Sequence, residues 1–294
     1  RIDKVAICGY HGWHDWYIIT TERDKGVPKI MKELSFTFEY NNIESLKKLF
    51  DAYPGEFAAV IMEPVGVTPP QDGFLEKVRN LAHKNGAVLI FDEIITGFRF
   101  SLGGAQEYFD VIPDLAAFGK AMANGMPISA LVGKEEIMNE LNETFFSFTF
   151  GGECLSMAAA IATINEIRDK DVISFIWAQG RKLQEGYNKL TKELELERYT
   201  QCAGYSPSTL VKFFGKTADD SLIMKSLVQQ ELLRRGILWA AYHAISYSHK
   251  DEEINTTLEA FDEALRVLKK GVREGGIEKL LEGTPVKPVF RAVL

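Results

Sequence analysis

Apolar runs and amphipathic stretches alternate along the first half of the chain. "KVAIC" (Lys4–Cys8) reads as a short apolar strand. "NIESLKKLFDAYPG" predicts a helix with Asn42 as N-cap, Ile43, Leu46 and Phe50 on one face, and Pro54-Gly55 as its stop. "AAVIMEP" predicts a second buried strand, and "DGFLEKVRNLAHKNG" an amphipathic helix with Phe74, Val78, Leu81 and Ala82 as its stripe and Gly86 as its end. "AVLIF" gives a third strand and "PISALVG" a fourth. Strands that are apolar throughout are buried on both faces. Strand, helix, strand in succession predicts a mainly parallel α/β sheet with right-handed crossovers.

The second half has another pattern. "ECLSMAAAIATINEI" predicts a closely packed small-residue helix, and a longer helix runs from about Ser174 to Glu197. "TLVKFFG" reads as a strand and "DSLIMKSLVQQELLRRG" as a helix ended by Gly236. "DEEINTTLEAFDEALRVLKKG" predicts a last helix with Asp251 as cap and Ile254, Leu258, Phe261, Leu265 and Leu268 along one face. This predicts a large α/β domain over residues 1–170 and a smaller α+β domain over 171–294.

Composition narrows the function. The 294 residues, 46% hydrophobic, suffice for a sizeable core. A net charge of −7 without long like-charge blocks does not suit nucleic acid or an anionic membrane. Cys8, Cys154 and Cys202 are too few and too scattered for a disulfide framework, so a reducing, cytoplasmic setting is expected. No apolar run reaches membrane-spanning length.

The chemistry gathers at predicted strand ends, where ligands sit in parallel α/β sheets. The first strand ends in Gly9-Tyr10-His11-Gly12, the second in Glu63-Pro64 and the third in Asp92-Glu93. An aspartate there either caps a turn or serves as a half-dry carboxylate facing a cation, such as a protonated aromatic nitrogen. Lys120 follows 28 residues later, between "DLAAFG" and "AMANGMP". Most lysines are solvated, but one in apolar, small-residue surroundings is a usable amine nucleophile toward an aldehyde. A pyridinium partner and an aldehyde partner are the two handles of pyridoxal phosphate. His11, His14 and Asp15 invite a metal reading, but the HExxH frame and a third ligand are lacking, so no metal is expected. Tyr10 could stack on a ring, or pack on a neighbouring subunit. "FFSFTFGG" could offer Thr149 and backbone N–H groups to a phosphate, or be a plain turn. "GKT" (Gly215–Thr217) fails as a P-loop because Leu210 stands where glycine is required, and Arg234-Arg235 fits a solvated helix end.

Together, "YHG", "VIMEPV", "GFLEKVRNLAHKNGAVLIFDEIITGFRFSLGGAQEYF", "PDLAAFGKAMANGMPISALVG" and "TFGGECLSMAAA" resemble the class III pyridoxal-phosphate-dependent aminotransferases, most nearly the glutamate-1-semialdehyde aminomutase-like group. The likeness is dense from Val5 to Ile167. It implies the fold type I transferase architecture, pyridoxal 5'-phosphate as cofactor, a small-molecule amino donor and carbonyl acceptor, and a homodimer with shared active sites. It also implies Lys120 as Schiff-base lysine and proton shuttle, and Asp92 on the pyridine nitrogen. Tyr10 and Ile94 would lie on the two ring faces, with His11 beside the ring and Glu63 an acid behind it. Thr149 would reach the phosphate of the partner's cofactor.

Three departures bear on this. The family's upstream glycine- and hydroxyl-rich phosphate loop has no counterpart, and a trimmed chain is the expected reason. "EPVGVTPP" is shorter than the aminomutase loop and lacks its asparagine, and "FGGECLS" differs from the usual aminomutase sequence. An aminotransferase is therefore expected, with the intramolecular 2,1-aminomutase reaction as alternative. A non-catalytic scaffold on the same fold is a third reading. No clear carboxylate clamp is visible, and Arg99 is the most suggestive cation for a substrate acid.

Overall fold

A computed structural model describes residues 2–287. Two compact units result, the first ending at Ile173 and the second beginning at Ser174. In the first, β1 (Lys4–Cys8), β2 (Ser35–Thr37), β3 (Phe57–Met62), β4 (Val88–Asp92), β5 (Leu115–Phe118) and β6 (Ala130–Gly133) form one sheet in the order β2-β1-β3-β4-β5-β6. Every pairing from β2 to β5 is parallel, and β6 closes the edge antiparallel to β5. The helices of this unit are α1 (Asp15–Ile18), α2 (Ile43–Ala52), α3 (Phe74–Lys84), α4 (Ala105–Tyr108), α5 (Glu135–Met138) and α6 (Cys154–Asp169).

Local chemistry explains the boundaries. The Asn42 side chain accepts the Ser45 N–H and starts α2, as the sequence predicts. Gly86, at φ +73°, gives α3 its left-handed exit. Leu46, Phe50, Phe74, Leu75, Val78 and Ala82 bury the faces of α2 and α3 against Ala6, Val60, Leu89 and Phe91 of the strands. A second cluster joins Ala116 and Phe118 of β5 to Met122, Ala123 and Ala160.

The "PISALVG" strand is present but runs antiparallel, and β2 and β5 add strands that the hydrophobic pattern does not announce. β2 has three residues and β5 reads LAAF, so neither makes a long branched run. The small-residue helix α6 is less enclosed than its composition predicts: Leu155, Met157 and Ile161 are exposed.

The second unit carries α7 (Val172–Glu193, which begins at the junction), β7 (Thr200–Tyr205), β8 (Ser208–Phe213), α8 (Ala218–Arg234), β9 (Tyr242–Ala244) and α9 (Asp251–Glu274). β7, β8 and β9 form an antiparallel sheet. Ile254, Phe261, Leu265 and Leu268 of α9 are buried as their spacing predicts, with Leu258 half-buried. Asp251 is the first residue of α9, not its cap. Its carboxylate accepts from Lys182 (2.5 Å) and Gln179 (3.0 Å) of α7, and Glu253 takes the Lys250 N–H instead.

Candidate active site

Parallel strands leave their last carbonyl and N–H groups at one edge, so residues just past β1, β3, β4 and β5 meet there. Past β1, Gly9 has φ +104°, and a Cβ on it would lie 2.7 Å from Glu63 Oε2. Only glycine allows this approach. It lets the Tyr10 N–H donate to Glu63 Oε2 at 2.9 Å, while Glu63 N–H donates to Cys8 O. The ends of β1 and β3 are thus tied together by the carboxylate of Glu63.

Asp92 ends β4. Its Oδ1 accepts the Ile94 N–H at 3.1 Å, and its Oδ2 lies 2.7 Å from His11 Nδ1. The other His11 nitrogen faces Cys8 O at 3.1 Å. The imidazole side chain is 1% exposed and the Asp92 side chain 12%, so the histidine is the more deeply buried member of the pair. Both ring nitrogens of His11 are engaged with oxygens, and His14 stacks between Trp13 and Trp16. No group of three metal-ligating side chains forms among the described residues.

Asp92 pairs with Ala117 on β5, three residues before Lys120. Lys120 is exposed rather than enclosed by the apolar residues that flank it in sequence, because Phe118, Met122 and Ala123 turn inward and it does not. It holds φ +44°, a left-handed conformation that costs a non-glycine residue about 1 kcal/mol or more. Gly119 sits against Ile94, whose Cγ2 is 3.8 Å from the place a Cβ would take.

Electrostatics link these groups. Burial pushes the Glu63 carboxyl above its ordinary range, the Tyr10 N–H opposes that, Asp92 pushes further up, and His11 and Lys120 pull down. Glu63 thus senses Asp92, His11 and Lys120 at once. Burial, with Glu63 adding to it, also pushes the Cys8 thiol up to about 12, so it stays protonated at neutral pH.

Of the seven residues that the resemblance assigns to the cofactor site, six lie on neighbouring strand ends: Tyr10, His11, Glu63, Asp92, Ile94 and Lys120. The Tyr10 ring meets Tyr17 edge-on at 5.5 Å. Thr149 is exposed on the phenylalanine-rich segment before α6, and no hydrogen bond or ion pair joins it to the cluster among the described residues. Arg99 lies in the loop beyond Ile94, its N–H on Thr96 O. Glu93, next to Asp92, carries no role in the sequence reading, yet it is fully buried. The one signal for it is an acid directly after an apolar strand, followed by Thr96 and Gly103-Gly104.

Comparison with known proteins gives the following. The model of the family "Aminotransferase class-III" matches residues 21–265. A 3-aminobutyryl-CoA aminotransferase of Cloacimonas acidaminovorans is 39% identical over 91% of this chain and 66% of its own length. A glutamate-1-semialdehyde 2,1-aminomutase of Alkaliphilus oremlandii is 36% identical over 92% of this chain and 68% of its own. The chain spans about two thirds of the length of these relatives. Among solved structures, the FumI protein of Sphingopyxis sp. MTA144, in its PLP internal aldimine form, superimposes with a TM-score of 0.85 at 24% identity. That match covers 95% of this chain and 68% of the other, a likeness of fold.

Proposed function

The chain belongs to the class-III aminotransferases, and from that membership we propose that it is a pyridoxal-phosphate-dependent aminotransferase moving an amino group between an amino donor and an aldehyde or ketone acceptor. The observation that carries the reading is the parallel register of β4 and β5. It sets a largely shielded carboxylate and a conformationally strained lysine on adjacent strand ends, with Glu63 feeling the charge of both. This donor set fits the cofactor: an anion for a ring N–H, a primary amine for an aldehyde, and a tyrosine and an isoleucine on the neighbouring strand ends.

When bound, pyridoxal phosphate supplies an aldehyde through which amino groups exchange and a protonated ring that withdraws electrons from the carbon bearing the substrate nitrogen. Asp92 would hold the ring nitrogen protonated, its own orientation fixed by the Ile94 N–H and His11. Lys120 Nζ would bind the aldehyde carbon and, when free, would take up and return a proton at the substrate carbon as general base and acid. Tyr10 and Ile94 would bound the ring faces. Glu63 would keep Tyr10 in place through its backbone N–H. The unit ending at Ile173 would carry this machinery, and the second unit would form the smaller α+β domain.

A second copy of the chain would complete the site. Phe145, Phe146, Phe148 and Phe150 are exposed around Thr149, and Leu155 is exposed just beyond. Burying such a face in a homodimer would bring Thr149 to the partner's cofactor phosphate. Three unpaired cysteines suit a cytoplasmic setting, and among the described residues no helix is long and apolar enough to cross a membrane.

The test is an absorbance band of covalently bound cofactor in the purified full-length protein and its loss in Lys120→Ala. A protein that takes up no pyridoxal phosphate defeats the reading. The second reading, an intramolecular amino shift, draws on the aminomutase relative at 36% identity. Turnover of a γ-amino semialdehyde with no external keto acid supports the mutase, and strict dependence on a keto acid supports the transaminase.

A further inference from the structure

Glu93 is fully buried, beside an acid already proposed to face the cofactor. Its Oε2 accepts the Thr96 hydroxyl and the Ala105 N–H (2.8 Å), and its Oε1 accepts the Gln106 N–H (2.7 Å). Its own N–H donates to Ala117 O at 2.9 Å, and its carbonyl accepts the Gly97 N–H at 2.7 Å. One residue thus fastens both ends of the loop from Ile94 to Gly104 and ties that loop to β5. The backbone has been shaped around the carboxylate. A Cβ on Gly104 would lie 2.6 Å from Glu93 Oε2, and one on Gly97 would lie 2.8 Å from Glu93 O and 2.4 Å from the Phe118 ring. Burial, with Asp92 adding to it, pushes the Glu93 carboxyl above its ordinary range, against the pull of its three donors.

This fastening reaches the site by a short route. The Ile94 N–H that orients Asp92 Oδ1 belongs to the residue after Glu93, and Ile94 packs beside Gly119, which precedes Lys120. We infer that Glu93 is a positioning residue: a buried latch that fixes the Asp92 carboxylate and the Ile94 side chain relative to Lys120 without touching cofactor or substrate. The inference rests on the proposed roles of Asp92 and Ile94.

Glu93→Gln tests it in the full-length enzyme. The amide keeps the volume but turns one acceptor into a donor facing N–H groups, so the loop loses its hold. Expected are faster hydrogen exchange at the Ile94, Ala105 and Gln106 amides, about tenfold weaker pyridoxal phosphate binding, comparable to loss of an outer partner of a metal ligand, and a displaced pH titration of the bound-cofactor band. Thr96→Val removes one donor and should move the same readouts in the same direction by less, which covers the case of a Gln variant that does not fold. Glu231→Gln is the control. Glu231 is a buried acid of α8 bonded to Arg234 and Arg235, so its loss should lower stability without moving the cofactor titration. Unchanged Ile94 exchange in Glu93→Gln overturns the latch. So does a cofactor titration that Glu93→Gln and Glu231→Gln shift equally. A wild type that binds no pyridoxal phosphate overturns the functional reading instead, and the amide exchange still decides the latch.

Discussion

At the scale of single residues, the site depends on contacts that tolerate no added atom. Gly9→Ala places a Cβ 2.7 Å from Glu63 Oε2 on a backbone at φ +104°. It should cost about 1–3 kcal/mol and weaken cofactor binding by displacing the Tyr10 N–H, measurable by urea unfolding and by titration with pyridoxal phosphate. His243 makes the opposite kind of demand, to stay uncharged. Its Nε2 accepts the Trp239 indole N–H at 2.9 Å, and its Nδ1 faces Thr209 Oγ1 at 2.9 Å. Burial, helped by His249, pushes its pKa down from 6.5 to about 4. The unfolded chain therefore takes up a proton near pH 6.5 that the folded chain refuses until about pH 4. Stability from this group is complete above that window and falls as pH drops through it, by up to about 3 kcal/mol. Unfolding free energies measured across the window should lose that slope in His243→Phe. An unchanged slope would mean that other groups set it.

At the scale of elements, the chain announces its helices more clearly than its short strands. Asn42 and Gly86 mark α2 and α3 because one side chain or one φ satisfies the helix end locally. α8 begins with a capping box: Thr217 Oγ1 accepts the Asp220 N–H at 3.1 Å, and Asp220 accepts the Thr217 N–H at 2.9 Å. Thr217→Ala should cost about 1 kcal/mol, read as a lowered midpoint of denaturant unfolding. β2 and β5 are hidden because three- and four-residue strands take their identity from their neighbours rather than from an internal period. The antiparallel course of β6 is set by its pairing with β5, which no local pattern encodes. The site divides in the same way. Asp92 and Lys120 stand out as charges interrupting apolar sequence. The His11–Asp92 contact spans 81 residues, and Glu93 draws its donors from the backbone of Ala105 and Gln106, which composition cannot reveal.

At the scale of the whole molecule, the phenylalanines before α6 form a run of exposed apolar side chains. Phe145 is 95% exposed, and Phe146 and Phe150 about 70%. If a second copy covers them, Phe146→Glu with Phe150→Glu should convert dimer to monomer in light scattering at micromolar concentration and abolish turnover with it. A variant that stays dimeric assigns the face to something else. Lys120 extends the theme of groups held against their own preference. Its left-handed backbone would suit glycine, so Lys120→Gly should raise resistance to unfolding by about 1 kcal/mol while removing the amine. On the role proposed for Lys120, that substitution trades the amine for a relaxed backbone, so added durability and lost reactivity would come from one change.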